Sequence, residues 1–140
     1  MAQIPENVKE LLRGGHNIWV ATIGEDGWPN VAIKGSGALL DDDHIYFADI
    51  FSKKTRDNLL YNSRVAVGVF AADKNAPDKK VAVQLKGVAD MIQTGELFDK
   101  VTEQMAALQM GLPPVTYVVR ILVDSVWDMS AGPKAGERID

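Results

Sequence analysis

The stretch Val81-Ala82-Val83-Gln84-Leu85-Lys86-Gly87-Val88-Ala89-Asp90-Met91 decides the fold. Val81, Val83, Leu85, Gly87, Ala89 and Met91 fall on one face, and Ala82, Gln84, Lys86, Val88 and Asp90 on the other. This period of two is that of a long, half-exposed strand. Upstream, Arg64 to Ala71 reads as a buried strand carried by Val65, Val67, Val69 and Phe70, and the charged stretch Ala72 to Lys80, broken by Pro77, joins the two as a loop. Downstream, Leu97, Val101, Met105 and Leu108 recur at helical spacing over Glu96 to Gln109, and Gly111 with Pro113-Pro114 stops that helix. Thr116 to Trp127 then closes the fold as a strand with Tyr117, Val119, Ile121 and Val123 inward.

The N-terminal half follows the same logic. Pro5 to Leu12 is a short helix with Val8, Leu11 and Leu12 on its apolar face and Gly14-Gly15 at its end, placed as a clasp. Asn17 to Ile23 is β-branched and aromatic, Gly24 to Gly27 turns the chain, and a hairpin returns through Trp28-Pro29 into Asn30 to Lys34. Gly35-Ser36-Gly37 interrupts that strand as a bulge where something packs closely on the backbone, and Ala38 to Leu40 resumes it before the Asp41-Asp42-Asp43 turn. His44 to Asp49 is the next strand, and Lys54 to Tyr61 is a helix with Leu59 and Leu60 on its buried side. Hairpins dominate and no strand–helix–strand unit opens on a Gly-rich turn. The expected fold is therefore mainly β: one domain over residues 1–140, an antiparallel barrel of about six or seven strands with peripheral helices, and a loosely held tail from Ser130 to Asp140.

Composition narrows the chemistry. The chain of 140 residues is 46% hydrophobic and 24% charged, proportions of a globular domain. Zero cysteines exclude disulfides, thiolate metal sites and a cysteine nucleophile, and two histidines leave little for a metal centre, so no metal site is expected. A net charge of −4 argues against a nucleic-acid partner. With neither a signal stretch nor a long apolar run, a cytoplasmic protein without a membrane partner is expected. His16 and His44 read as ordinary strand-boundary residues, the three aspartates as a turn, and no catalytic side chain stands out.

One segment carries a binding signal: Ile45-Tyr46-Phe47-Ala48-Asp49-Ile50-Phe51-Ser52-Lys53-Lys54-Thr55-Arg56-Asp57-Asn58-Leu59. A strand runs into a loop of two hydroxyls and two ammonium groups where a helix begins. Free N–H groups at a helix start favour an anion, and adjacent cations and hydroxyls complete a phosphate cradle. On spacing alone, a helix cap by Ser52 or Thr55 accounts for these residues equally well.

Taken in order along the chain, these pieces resemble the FMN-binding split barrels related to pyridoxamine 5′-phosphate oxidase. The Asp26-Gly27-Trp28-Pro29 hairpin, the strand Val31 to Lys34, Ile45 to Asp49 followed by Ser52, Lys54 and Thr55, Asn58-Leu59, and Leu85 to Ala89 carry the resemblance. It implies an antiparallel split β-barrel holding FMN at a homodimer interface. The phosphate would lie on Ser52, Lys53, Lys54 and Thr55. The isoalloxazine would be bordered by Val31, Ala32, Ile33 and Lys34 and by Phe47, Ala48 and Asp49, largely through backbone groups, while Gln84 and Trp127 reach a partner's cofactor. The function implied is a flavoprotein oxidoreductase or electron-transfer protein exchanging electrons with a small molecule or another protein. The alternatives are a deazaflavin-dependent reductase on the same barrel and a cofactor-carrying module without substrate turnover.

Departures from the oxidase pattern argue against pyridoxamine phosphate oxidation itself. Lys53-Lys54 replaces an arginine–lysine pair, so the guanidinium fork is lost. The family's glutamine position falls on Ala82, two residues from Gln84, and no arginine and histidine signature follows Trp127.

Overall fold

Strands that alternate apolar and polar residues must roll up to bury one face. Here β1 (His16–Ile23), β2 (Pro29–Leu39), β3 (His44–Asp49), β4 (Arg64–Ala72), β5 (Lys80–Ile92) and β6 (Tyr117–Asp128) close into an antiparallel barrel ordered β1-β2-β3-β6-β5-β4. Helices α1 (Glu6–Leu12), α2 (Lys54–Tyr61) and α3 (Glu96–Ala107) lie around it. The structure, a computed structural model, describes residues 2–13, 15–73 and 75–140. Gly14 of the expected helix stop and Lys74 of the charged loop lie outside them. No helix among the described residues is long and apolar enough to cross a membrane.

The barrel interior is filled by Ile18 and Val20, Ile45 and Phe47, Val65, Val67 and Val69, Val83 and Leu85, and Val119, Ile121 and Val123, with Val8, Leu11 and Leu12 of α1 packed on the same core. A second, smaller cluster of Ala48, Val101, Val115 and Val118 forms where α3 covers the outside of β3 and β6. Near Ala48 and Val118 those two strands are thus buried on both faces.

The bulge expected at Gly35-Ser36-Gly37 is present. His16 pairs with Gly37 but Ile18 with Lys34, so two steps on β1 oppose three on β2. A Cβ on Gly37 would lie 2.6 Å from the Ile18 side chain, the close approach the glycine permits. Beyond the bulge, β2 pairs with β3 only through Ala38–Tyr46 and Leu39–Ile45. From Pro29 to Gly37, β2 has its ladder partners on β1 and none on β3, which it reaches only through the Ser36 side chain, and this split positions the site.

Gly87 sits at a second register shift, where β5 meets β6, and a Cβ there would lie 2.3 Å from the Leu122 carbonyl oxygen. Backbone cannot yield as a side-chain tip does. Gly87→Ala should lower the unfolding free energy by about 1–3 kcal/mol, read as an earlier urea midpoint; an unchanged midpoint would contradict this contact.

Several expected core positions differ. Phe70 is exposed, because Val65, Val67 and Val69 take the inward parity of β4 and Phe70 takes the outward one. On α2 the buried residues are Thr55, Asn58 and Leu59, and Leu60 is exposed. Asn58 Nδ2 donates to Thr22 Oγ1 at 3.0 Å, so a polar side chain anchors the helix where an apolar one was expected. Helix α3 ends at Ala107, leaving Leu108 exposed, and Tyr117 lies under the Arg56 guanidinium, 5.5 Å from it, outside the barrel core. The C-terminal stretch is tied down where a loose tail was expected. The Asp128 N–H donates to Glu137 O, the Ile139 N–H to Val126 O, and the Val126 N–H to Asp140 Oδ1, each at 2.8 Å, while Ile139 packs on the core.

Candidate functional site

Helix α2 begins beside the split. Lys53 is its N-cap residue and no side chain caps it, so the N–H groups of Lys54, Thr55 and Arg56 have neither an intrahelical nor a side-chain acceptor. Both hydroxyls of the loop are buried and engaged elsewhere: Ser52 Oγ with Lys34 Nζ, and Thr55 Oγ1 as acceptor from Asn30 Nδ2 at 3.2 Å. The helix-cap account of Ser52 and Thr55 is therefore not the one realised. An uncapped helix start flanked by Lys34, Lys53 and Lys54 is suited to an anion with several oxygens.

Asp49 holds this loop in shape. Its buried carboxylate accepts the Ser52 N–H at 3.0 Å and Arg56 Nε at 2.9 Å. Burial pushes its pKa up, but the hydrogen bonds from Arg56 and Ser52, with the Arg56 charge, outweigh burial and the net direction is down. Lys34 is the converse: burial lowers its pKa, against the opposing pull of Asp49. Its ammonium lies 5.8 Å from the Phe47 ring centre.

The split opens into a groove of about 350 Å³ between β2, the end of β3 and the chain after α3. Ile33, Ala48, Ile50 and Phe51 line one side and Met105, Leu108, Met110 and Leu112 the other, with Lys34 and Ser36 as the polar side chains. A mostly apolar cleft with few polar groups takes a flat heteroaromatic ring readily.

The residues expected to bind a cofactor are distributed as follows. Ile33, Lys34 and Ala48 line the groove. Ser52 and Thr55 are buried at the α2 start, where Lys53 and Lys54 are exposed, and Lys54 pairs with Asp26 at 3.0 Å. Val31 is exposed on β2 and Ala32 half-buried. Phe47 belongs to the barrel core. The Ala48 N–H, a candidate backbone donor to a ring, donates instead to Ser36 Oγ at 3.0 Å. Gln84 and Trp127 face each other across β5 and β6, in a row that continues through Gly68 and Trp19 to Ile33, and they do not line this groove.

Sequence reading missed Asn30, Ser36, Met110 and Leu112. The last two had a signal: Leu108, Met110 and Leu112 are apolar in a stretch broken by Gly111 and Pro113, where a solvated loop would be polar. The aspartate turn forms as read, with His44 Nδ1 held by Asp41 at 2.8 Å and Asp43 at 2.7 Å.

A family model described as pyridoxamine 5′-phosphate oxidase matches residues 4–129. The chain belongs to the pyridoxamine 5′-phosphate oxidase family. An uncharacterized protein of Methanocaldococcus jannaschii is 33% identical over 135 residues, covering 94% of this chain and 86% of that one. Three solved structures share the barrel. An FMN-binding protein from Syntrophomonas wolfei has TM-score 0.77 and 18% identity, covering 91% of this chain and 87% of its own. The haem storage protein HutZ from Vibrio cholerae has TM-score 0.65 and 16% identity, covering 91% and 95%. An F420 reductase has TM-score 0.64 and 19% identity, covering 88% and 98%. Identities this low establish the split-barrel fold and leave the ligand to the site itself.

Proposed function

We propose that this member of the pyridoxamine 5′-phosphate oxidase family is a cytoplasmic FMN-binding flavoprotein, an oxidoreductase or electron carrier acting as a homodimer. The observation that carries the reading is the uncapped α2 N-terminus, with Lys34 bonded to Ser52 at the loop that leads into it, beside a groove of ring-binding character. The N–H groups of Lys54, Thr55 and Arg56, the two hydroxyls, and Lys34, Lys53 and Lys54 would hold the phosphomonoester. Ile33, Ile50, Phe51 and Met105 would enclose the ring and exclude water from it. FMN supplies one- and two-electron chemistry, so the chain needs no nucleophile of its own. Lys34, partly buried beside the groove, would favour negative charge on the bound cofactor.

The dimer is supported by the outer face of the barrel. Trp19, Ile23, Val31, Ile33, Phe70 and Val88 are exposed there around the small residues Ala21, Ala66 and Gly68. A surface groove of about 410 Å³ runs through the same face, between Ile23, Pro29, Ala66 and Val88. Exposed apolar side chains gathered on one face, among the charges of Arg64, Lys86 and Asp124 that also line the groove, suit a partner surface. Gln84 and Trp127 lie on it and would meet a partner's cofactor.

A deazaflavin is the second reading, favoured by the likeness to an F420 reductase. Absorbance of the purified protein and mass identification of the released chromophore test the cofactor, and sedimentation tests the dimer. FMN released from a particle of two chains is expected. A protein that takes up no FMN overturns the first reading, and a released deazaflavin replaces it with the second. NADH or NADPH oxidation then distinguishes enzyme from carrier.

A further inference from the structure

One side chain stands where β2 and β3 part. The Leu40 N–H donates to His44 O at 2.9 Å and Ala38 pairs with Tyr46, so the bonded pairs of this ladder recur at every second residue and the next in step would be Ser36 with Ala48. No such pair is formed. The Ser36 hydroxyl takes its place, accepting the Ala48 N–H at 3.0 Å and donating to the Ala48 carbonyl oxygen at 3.4 Å. A hydroxyl donates and accepts at once, so it meets both groups that a backbone partner would have met. The bulge supplies the reason, since an extra residue on β2 breaks the alternation and re-aims the Ser36 side chain toward β3.

Ala48 needs that partner. The Asp49 carbonyl accepts the Thr116 N–H at 2.9 Å on the far side of β3, so the alternate residue Ala48 turns its own N–H and carbonyl toward β2. Ser36 also divides two spaces: Lys34 and Ile50 line the groove on one side of it, and Ala38 and Tyr46 border a cavity of about 450 Å³ on the other. Without the hydroxyl, two polar groups would lie unpaired at a residue only 5% exposed, and such groups find a partner. Pairing with β1 on both sides of the bulge pins β2, so the strands cannot close on each other, and a water bonded to both Ala48 groups would enter instead. A ring would then have to displace it. We propose that Ser36 is a positioning residue: its hydroxyl stands in for one backbone rung, fixes the inner end of the groove and keeps that end dry for a planar heteroaromatic ring. The role toward the ring rests on the flavin reading; the rung does not.

The test compares the full-length native chain with Ser36→Ala and Ser36→Thr, using FMN, lumiflavin as the ring alone and inorganic phosphate as the anion alone. Amide hydrogen exchange at Ala48, followed by NMR, should be about three- to tenfold faster in Ser36→Ala, the worth of one hydrogen bond, and native in Ser36→Thr, which keeps the hydroxyl. FMN and lumiflavin should each bind Ser36→Ala about three- to tenfold more weakly, phosphate should bind as before, and Ser36→Thr should restore both flavins. Unchanged Ala48 exchange in Ser36→Ala overturns the rung. Faster exchange with unchanged flavin binding overturns the role toward the ring, and so does phosphate affinity falling in step, since that marks a general loss of structure. If the native chain binds neither flavin, the flavin reading falls and takes the role toward the ring with it, while Ala48 exchange still decides the rung. If the native chain binds FMN and Ser36→Ala binds it equally well, the reading stands and the proposal falls.

Discussion

A Lys34→Met variant should keep its fold and lose FMN affinity by about ten- to a hundredfold, the worth of a hydrogen bond to a charged group. Methionine preserves the length and apolar stem of the side chain, which is partly buried between β2 and the α2 start, and removes only the ammonium beside Ser52. Lys53 is exposed and Lys54 is half-exposed and already paired with Asp26 at 3.0 Å. Their charges act through solvent and should count for less, so Lys54→Ala should weaken FMN by a smaller factor than Lys34→Met. The pH dependence separates a direct role from a structural one. Burial lowers the Lys34 pKa, so its charge is lost at a lower pH than that of a free lysine. FMN affinity should therefore fall on the alkaline side in the native chain, and that fall should be absent in Lys34→Met. Quenching of FMN fluorescence on binding reads both quantities. Equal affinities, with circular dichroism unchanged, would remove Lys34 from the site.

How far the site was legible in the sequence follows from how its contacts are spaced. Ser52, Lys53, Lys54 and Thr55 are neighbours in sequence, so their pattern could be read at once. Their partners could not: Lys34 is 18 residues from Ser52, and Asn30 is 25 from Thr55. Only the pairing of β2 with β1 and its divergence from β3 bring them to the loop. The bounds of β3 and α2 follow from local signals and agree with the structure, His44–Asp49 and Lys54–Tyr61. The alternation of β5 told which residues share a face. Whether something covers the other face is a tertiary fact, and it separates Val118, buried beneath α3, from Phe70, left exposed on β4. The stretch after α3 was misjudged for the same reason, since its Leu108, Met110 and Leu112 have a use only because β2 and β3 part in front of them.

The same spacing explains why the loop depends on Asp49, and why its removal should have the largest effect on stability. Asp49→Ala deletes the acceptor of both the Ser52 N–H and Arg56 Nε, leaving a donor at a buried serine and an unpaired guanidinium. Breaking a buried pair costs about 3–5 kcal/mol. Because the Arg56 side chain is 26% exposed and regains some hydration, the loss should fall near the lower end of that range. Asp49→Asn keeps an acceptor for Ser52 and should cost less. The Asp49 pKa is lower folded than unfolded, so its stabilisation is fully present above the unfolded value, about 3.9, and is lost as pH falls through the folded value. Urea unfolding should thus find native chain and Asp49→Asn furthest apart at neutral pH, with the gap closing in the acid range below about pH 4. A gap that stays constant from neutral to acid pH would mean that the carboxylate charge contributes nothing, and that only the shape of the side chain holds the α2 start open.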